Sequence, residues 1–595
     1  MKLLFKSPNP LTWLIVLPMV SALLLAALLI RPEALIKALA GEAPPNFAHL
    51  RRGAQLFKLC LALDGLILLT WTLVRTSKVV RMTAAGRAAE MEGRSPPIGR
   101  LASLFPAPAD SRLSRVVATR WLLGLLMAGT ILRLINLNND LWLDEIGSLI
   151  GYMRYPFGQI VCSYSSANQH LLYSLLAHAG LRLFGETPVA IRLPAVLFGV
   201  AGLWSVYRLA RLTESRTDAL FVVALMTVSY HHVFFSQNAR GYTLFLGLSL
   251  ISMVLFVRAL LTNRTWLWTA YALITVLNMV NHLNAVFVFL GQIGTLALIG
   301  LMQRREPAAL GLRLKRALAA SLLIGFFTFH VYALSLPEMI NYFATADRTA
   351  VGWPLLSLDF FKETVKGLQL GFSSGLAAIG VLILGLYGTA QYLRRHFYIC
   401  VLFALPSLLG VAGVGLLNVG AYPRLFLMAL PIGLLMLVRG ACGLSEGLAH
   451  HLRFRSAATA GVGVIVAGAV VVSALALVPY YRMPKQDFTG ALSFIEAIRV
   501  DSSSVAAADL ASFCAQYYNP AVRAINSPGD LERLLREGRP VWLLYIFPAS
   551  MKLRQPALYQ YIEEHFTLIR QFPGTVGDGT VYVCRNKEAA RNHKD

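Results

Sequence analysis

The chain has 595 residues, of which 56% are hydrophobic and only 14% are charged. Soluble domains carry about 25% charged residues, so this composition excludes an ordinary soluble protein. The formal net charge of +24 could suggest a nucleic-acid partner, but the Lys and Arg residues fall mainly in short loops between apolar runs. That is the positive-inside pattern. We therefore expect a polytopic helical protein that contacts membrane lipids and binds no nucleic acid.

The N-terminal segment, residues 1–76, contains two apolar runs, Leu11–Ile30 and Gln55–Val74. The basic stretch Met1–Lys6 predicts a cytoplasmic N-terminus. The first run lacks a small-residue cleavage site, which favours a retained helix over a removed signal peptide. Residues 77–119 are rich in Arg and Pro and are predicted to be a basic cytoplasmic linker. We interpret the helix pair as an addition to a core that begins near residue 120.

Residues 120–479 contain further apolar runs, which bring the total to about thirteen predicted membrane helices. The runs in this region are Trp121–Ile135, Ala190–Leu209, Ala219–Val233, Leu244–Leu260, Trp268–Val280, Val286–Met302, Ala317–Leu334, Leu376–Leu393, Val401–Leu417, Leu425–Val438 and Ala457–Val478. The short basic loops all fall on one side, so charge and parity give the same orientation. His170–Phe184 is shorter and contains Arg182, which is typical of a helix lying at the membrane interface.

The last segment, residues 480–595, is polar and is predicted to be a small extracytoplasmic α/β domain. Its alternating pattern predicts strands and helices at Val505–Ala508, Leu531–Arg536, Val541–Phe547, Tyr559–Phe566 and Thr580–Cys584. Cys514 and Cys584 share this segment and could pair in an oxidising compartment. The six cysteines show no metal-binding spacing.

An acidic pair, Asp144 and Glu145, follows the predicted helix Trp121–Ile135 directly. A charge in the bilayer costs on the order of 3 kcal/mol, so two acids at a helix exit require a reason. One interpretation is a solvated loop in which Trp142 anchors the chain at the interface. The other is a catalytic carboxylate held at the membrane surface.

Other polar residues lie at helix ends on the same predicted side. They are Asn168, Gln169, His170, Gln237, Asn238, Arg240, His282 and Arg424. Singly, each has an ordinary explanation, such as an arginine that reaches toward lipid headgroups or a histidine that caps a helix. Together, carboxylates and cations suit a reaction on a phosphorylated lipid. The carboxylate would deprotonate an acceptor hydroxyl and the arginines would hold a phosphate leaving group. No Walker-type phosphate loop or Rossmann glycine motif is found, which disfavours a soluble nucleotide donor.

Six motifs, in this order, resemble GT-C glycosyltransferases of the protein-mannosyltransferase and aminoarabinose-transferase type, in the bacterial RgtA/B/C/D-like group. They are LWLDE at 141–145, NQHLLYSLLAH at 168–178, LFGETPVAIRLPAVLFG at 183–199, FFSQNARGYTL at 234–244, NHLNAVFVFL at 281–290 and YPRLFLMALP at 422–431. The resemblance covers about residues 120–440, and PKQDF at 484–488 is also similar. It implies a GT-C fold, a polyprenyl-phosphate-sugar donor and inversion at the anomeric carbon.

The resemblance also implies roles for single residues. Asp144 would be the general base and Glu145 would complete the acidic pair. The implied donor-phosphate and substrate-binding residues are Arg240, Arg424, His170, Asn168, Gln237, Tyr242 and His282. Where the family often has an acid before Ala-Arg, this chain has Asn238, and where the family often has His-Pro-Pro, it has Asn168-Gln169-His170. These departures weaken a metal-ligand role, so we expect no cofactor and no essential metal.

The sequence thus predicts a multi-pass enzyme of the bacterial inner membrane. It would move a sugar from a polyprenyl-phosphate donor to a glycan, lipid or protein acceptor outside the cytoplasm. A flippase or transporter of polyprenyl-linked lipids is an alternative, as is another lipid-phosphate-dependent transferase or ligase. A transporter places its functional charges near the membrane midplane, whereas here they lie at one face.

Overall fold

The computed structural model describes residues 10–42, 44, 46–81, 113–302, 307–345, 375–416, 427–451, 457–500, 503–577 and 579–587. Helices dominate up to residue 498. The first three are α1 Pro10–Leu29, α2 Pro32–Ala40 and α3 Phe47–Arg81. After α4, Arg115–Leu134, come three short helices and one π-helical turn, which we call the short-helix layer. They are α5 Leu143–Ser148, the turn Leu149–Met153, α6 Phe157–Cys162 and α7 Leu171–Phe184.

The remaining helices form the main bundle and the connection to the C-terminal segment. They are α8 Pro188–Ala210, α9 Arg216–Thr227, α10 Tyr230–Ser236, α11 Tyr242–Thr262, α12 Thr265–Asn281, α13 Ala285–Met302, α14 Pro307–Tyr332, α15 Leu336–Thr345, α16 Gly375–Arg395, α17 Phe397–Leu416, α18 Ala429–His451, α19 Ala457–Arg482 and α20 Phe488–Ile498. Sequence signals explain the boundary between α7 and α8. Gly185, at φ +77°, ends α7, and the Thr187 hydroxyl accepts from the Ala190 amide at 3.2 Å to cap α8.

Each of the thirteen predicted membrane runs overlaps a helix of the structure. In the described ranges, eight helices are long and apolar enough to cross a membrane, or up to ten if two bent pairs each count as one span. The count of thirteen is therefore not confirmed. One bent pair is α9 with α10, which meet at 63°. Many leucines on outer helix faces are exposed, as expected for side chains that face lipid; Leu322 is 66% exposed and Leu382 is 60% exposed. The chain is a multi-pass membrane protein.

The N-terminal helices pack against the core through polar contacts as well as apolar ones. The Glu338 carboxylate, on α15, accepts from the Asn46 side-chain amide and from the backbone amide of Tyr164, both at 2.8 Å. His330 Nε2, on α14, lies 2.9 Å from the Asp64 carboxylate on α3. The N-terminal helix pair is thus joined to α14 and α15, and α15 in turn contacts the short-helix layer through Tyr164.

The C-terminal segment folds into a five-stranded sheet with helices on both faces, as predicted in outline. Its strands are β1 Ser504–Ala508, β2 Arg523–Ile525, β3 Val541–Ile546, β4 Phe566–Phe572 and β5 Val581–Asn586. The sheet order is β2-β1-β3-β5-β4. The first three strands are parallel, and β5 runs antiparallel to β3 and β4. Four helices connect the strands: α21 Ala511–Tyr518, α22 Pro528–Leu535, α23 Pro548–Arg554 and α24 Pro556–His565.

The two faces of this sheet bury separate cores. One face packs on α20, α21 and α5, and its core includes Cys514. The other face packs on α22, α23 and α24, and its core includes Cys584. Both cysteines are free and buried. The suggested disulfide is therefore wrong, because the sheet itself separates the two thiols. The contact of the first face with α5 brings this domain onto the acidic pair.

Candidate active site

The structure brings together eight of the residues that sequence analysis assigns to the site. They come from four segments, each at the end of a helix of the bundle: Asp144 and Glu145 on α5, Asn168 and His170 before α7, Gln237, Arg240 and Tyr242 at the start of α11, and His282 after α12. The acidic pair lies in a helix and is buried, so the interpretation as a solvated loop is wrong. Arg424 lies outside the described residues.

The first feature of the site is an ion pair between Asp144 and Arg240. Arg240 Nη1 lies 3.1 Å from Asp144 Oδ2 and donates to Asn168 Oδ1 at 2.9 Å. The guanidinium is only 2% exposed and lies over the ring of Tyr242, with 5.6 Å between Cζ and the ring centroid. Arg240 Nε has no hydrogen-bond partner among the described residues. A buried guanidinium with an unused donor is well suited to an anionic ligand.

The second feature is a buried cage around Glu145, which is fully inaccessible to solvent. Arg192, on α8, donates from Nε to Oε1 at 2.8 Å and from Nη2 to Oε2 at 2.6 Å. The backbone amide of Ala239 donates to Oε1 at 2.7 Å, and that of Trp142 donates to Oε2 at 3.4 Å. Lys485 Nζ, from the C-terminal segment, lies 3.4 Å from both carboxylate oxygens. Glu145 therefore joins α5, α8, the loop before α11 and the C-terminal domain.

The electrostatics of this cage keep Glu145 charged. Burial alone would raise its pKa, but the charges of Arg192 and Lys485 and the hydrogen bonds outweigh burial and lower the pKa to about 2. For Lys485, burial and the neighbouring Arg192 lower the pKa to about 7, although Glu145 opposes that change. Glu145 is 0% exposed and both of its oxygens already accept hydrogen bonds, whereas Asp144 is 8% exposed. Of the two acids, Asp144 is therefore the better candidate for a base.

Three aromatic rings form the wall beside Arg240. The His170 and His282 rings lie 4.7 Å apart between centroids, and Tyr242 lies 5.3 Å from His170 and 5.5 Å from His282. Their close approach requires Gly241, because a Cβ there would lie 2.6 Å from Asn281 Oδ1, next to His282, and 3.1 Å from the Cβ of His170. Residues of three segments thus meet at one glycine. The wall is consistent with the substrate-binding role assigned to these residues.

Gln237 and Asn238 contact the fold itself. Gln237 Nε2 donates to the carbonyls of Arg133 and Ile135 at 3.1 and 2.6 Å, and its Oε1 accepts from the Tyr480 hydroxyl at 2.7 Å. Asn238 Oδ1 accepts from Trp142 Nε1 at 3.2 Å. These bonds fix the loop that carries Arg240 against α4 and α5. In the described ranges, no group of three or more His, Cys, Asp or Glu residues could hold a metal ion.

Sequence analysis missed two residues of the site, Arg192 and Lys485. Arg192 lies in the quoted motif 183–199, and a charge inside an apolar helix is itself a signal of a specific partner. Lys485 lies in the motif 484–488. Neither motif indicates that both cations meet Glu145, because that contact joins positions far apart in the chain.

Part of the chain matches a known protein family, and its fold is similar to that of solved structures. Residues 168–332 match the family model described as dolichyl-phosphate-mannose-protein mannosyltransferase. The crystal structure of apo ArnT from Cupriavidus metallidurans superposes with a TM-score of 0.50 at 13% identity, covering 79% of this chain and 99% of that one. The family match and the shared fold indicate a membrane glycosyltransferase with a GT-C fold. The matched segment contains the asparagine, histidine and arginine positions of the site but begins after the acidic pair.

Two further structures are similar at lower scores. ArnT from Cupriavidus metallidurans bound to undecaprenyl phosphate has a TM-score of 0.46 and 12% identity, covering 80% of this chain and 98% of that one. The archaeal oligosaccharyltransferase AglB from Archaeoglobus fulgidus also has a TM-score of 0.46, at 10% identity, covering 78% of this chain and 74% of that one. No curated protein matches this chain.

Proposed function

We propose that this protein is a GT-C glycosyltransferase that moves a sugar from a polyprenyl-phosphate donor to an acceptor hydroxyl outside the cytoplasm, with inversion and with Asp144 as the base. The observation that carries the proposal is the buried pair of Asp144 and Arg240, 3.1 Å apart, in which Arg240 keeps a free donor atom. The donor class follows from the name of the matched family, whose donor is a dolichyl-phosphate sugar.

The two side chains divide the chemistry between the two ends of the reaction. Asp144 takes the proton from the acceptor as the acceptor atom attacks the anomeric carbon. The bond from that carbon to the phosphate oxygen breaks, and polyprenyl phosphate leaves with the electron pair. Arg240 stabilises the negative charge that develops on the phosphate. Attack from the face opposite the leaving group inverts the anomeric configuration.

The position of the charges supports an enzyme over a flippase. Asp144 lies on the short helix α5, and Asn168, Arg240 and His282 lie in connections at helix ends. A transporter site is instead expected near the middle of the membrane, often beside broken helices. A transferase or ligase that moves another lipid-phosphate-linked group would use the same two side chains. It is the second candidate, because Arg240 would hold the phosphate in either reaction, whichever group is transferred.

Donor turnover by the purified protein tests the proposal. Polyprenyl-phosphate sugars in detergent should release free polyprenyl phosphate when an acceptor extract is added, and detergent leaves no transport to be scored. Lipid extraction and mass spectrometry of a strain lacking the protein should show accumulation of the same donor and so identify the sugar. No turnover of any such donor, together with no accumulating sugar lipid, would reject the proposed donor class.

Arg240→Ala should weaken donor binding about 10- to 100-fold, because a hydrogen bond to a charged group contributes roughly 1.5–3 kcal/mol. The matched control is Arg154→Ala, which removes an external arginine whose partner is Glu186 at the exposed surface. Both proteins should remain monodisperse, and Arg240→Lys serves as a second variant if the alanine protein does not fold. We expect the same loss for Arg424→Ala. Donor affinity like that of the parent in the Arg240 and Arg424 variants would make these residues headgroup anchors.

The orientation is also a proposal: the N-terminus and the basic loops are cytoplasmic, and the domain after residue 479 is extracytoplasmic, in a bacterial inner membrane. The six native cysteines are buried, so single exposed cysteines can report on it. Lys552→Cys, in the C-terminal domain, should react with an impermeant maleimide in intact cells. Arg264→Cys, between α11 and α12, should react only after permeabilisation. The reverse pattern would place the active site on the cytoplasmic side.

A further inference from the structure

The segment that follows the last membrane helix runs directly onto the acidic helix α5. Lys485 and Gln486 lie just beyond the end of α19 and before α20, and both are buried. Lys485 Nζ lies 3.4 Å from both oxygens of Glu145 and also donates to the Gln237 carbonyl. The C-terminal domain therefore reaches the active site through its first residues.

Two more contacts of this domain hold the start of α5. The backbone amide of Leu143 donates to Gln486 Oε1 at 2.8 Å. The backbone amide of Leu141 donates to the Tyr518 hydroxyl at 2.6 Å, and that hydroxyl donates to the Leu141 carbonyl at 3.1 Å. With Lys485, three side chains of the domain contact the stretch 141–145. The residues that they contact, Leu141, Leu143 and Glu145, lie on both sides of Asp144 in the chain.

The position of Lys485 is not explained by charge neutrality. Arg192 already forms a two-point ion pair with Glu145, so Lys485 adds a second buried cation beside a single carboxylate. Burying a charge is costly, and a hydrophobic side chain of similar size would avoid that cost. What Lys485 adds is a tie from Glu145 to the Gln237 carbonyl, in the loop that leads to Arg240. It thus connects the helix of Asp144 with the loop of Arg240.

We propose that the C-terminal domain is a positioning element of the active site and that Lys485 is its principal positioning residue, acting through Glu145 to fix Asp144 relative to Arg240. The inference rests on the proposed role of Asp144 as base. Neighbouring residues of one short helix move together, so a tie on Glu145 also orients Asp144. A displacement of about 1 Å in a reacting group can cost 10²-fold in rate.

Lys485→Met keeps the length of the side chain and removes its charge. We expect kcat to fall about 10- to 100-fold while donor Kd stays within about 2-fold of the parent. Lys552→Met, an exposed lysine of the same domain, is the matched control and should behave like the parent. Lys485→Arg should recover part of kcat, because it keeps a cation that can contact Glu145.

A double-mutant cycle separates positioning from general stability. If Lys485 acts through Glu145, adding Lys485→Met to Glu145→Gln should lower kcat much less than Lys485→Met does in the parent. Fully additive losses would overturn the inference, as would an unchanged kcat or a donor Kd that weakens as much as kcat falls. The last outcome would make Lys485 a donor-binding residue.

The same assay keeps this inference distinct from the proposed function. If Asp144→Asn is inactive and Lys485→Met is normal, the positioning role is rejected and the base remains. If Asp144→Asn is active, the base is rejected, and with it the inference that depends on it. If Lys485→Met does not fold, Gln486→Leu tests the positioning role of the domain through its second contact with α5, the bond to the Leu143 amide. It should lower kcat with donor Kd unchanged, and an unchanged kcat would overturn the inference.

Discussion

Asp144→Asn is expected to lower the transfer rate about 10²- to 10⁴-fold, the usual contribution of a general base. The amide keeps the shape of the carboxylate but cannot take the acceptor proton. Donor binding should be retained, because Arg240 and Asn168 remain in place. The measurement is kcat at saturating donor, with donor Kd determined separately for the same preparation.

Asp140→Asn is the matched control for this prediction. Asp140 lies in the same stretch, but its carboxylate accepts from the backbone amide and hydroxyl of Thr489 at 3.0 and 2.8 Å. It should leave kcat close to that of the parent. Glu145→Gln should reduce kcat less than Asp144→Asn does, per folded molecule. A rate for Asp144→Asn within a few-fold of the parent, at equal protein level, would falsify the proposed mechanism.

Arg192→Met is expected to have the largest effect on stability, about 3–5 kcal/mol, the cost of breaking a buried ion pair from one side. It removes both bonds to Glu145 and leaves the carbonyls of Leu137, Asn139 and Asp140 without their guanidinium donor. The check is the thermal unfolding midpoint in detergent. Arg182→Met, an exposed arginine on α7, is the control and should unfold like the parent.

Removing the charge of Glu145 as well provides a companion test. The double variant Glu145→Gln/Arg192→Met should recover part of the lost stability, because no charge is left buried without its partner. The pH dependence has a defined sign. The folded pKa of Glu145 is about 2, below its ordinary 4.5, so its contribution is complete above pH 4.5 and is lost as the pH falls toward 2. If the thermal unfolding midpoint of Arg192→Met equals that of the parent, the ion pair of Arg192 and Glu145 does not stabilise the fold as proposed.

The sequence was most informative where physical chemistry is local. Long apolar runs fix the helices, and the helix ends carry the polar residues, so the meeting of Asp144, Arg240 and His282 could be anticipated. The different surroundings of Asp144 and Glu145 could not be predicted, because both are acidic residues at adjacent positions of the sequence. What distinguishes them is that Arg192 and Lys485, at distant positions in the chain, enclose Glu145. Asp144 is left as the proposed base.

The C-terminal domain shows the same limit. Strands with buried apolar residues, such as Val541–Ile546, were predicted correctly. The edge strand Phe566–Phe572 was missed, because only its first and last residues are buried and no alternating pattern marks it. Gln237 was assigned to substrate, and that role stays a prediction; its amide bonds to the carbonyls of Arg133 and Ile135 and to the Tyr480 hydroxyl. A polar residue beside a site can stabilise the fold or bind substrate, and its residue type alone does not reveal which.

The contacts between the N-terminal helices and the core also bear on how the protein is assembled during synthesis. His330, the partner of Asp64, is synthesised 266 residues after it, and Glu338, the partner of Asn46, is synthesised 292 residues after it. At a translation speed of about 5–20 residues per second, this delay is roughly 15–60 s. During that interval Asp64, on α3, has no His330 with which to pair. The contacts that join the N-terminal helix pair to α14 and α15 therefore form well after the pair itself is synthesised.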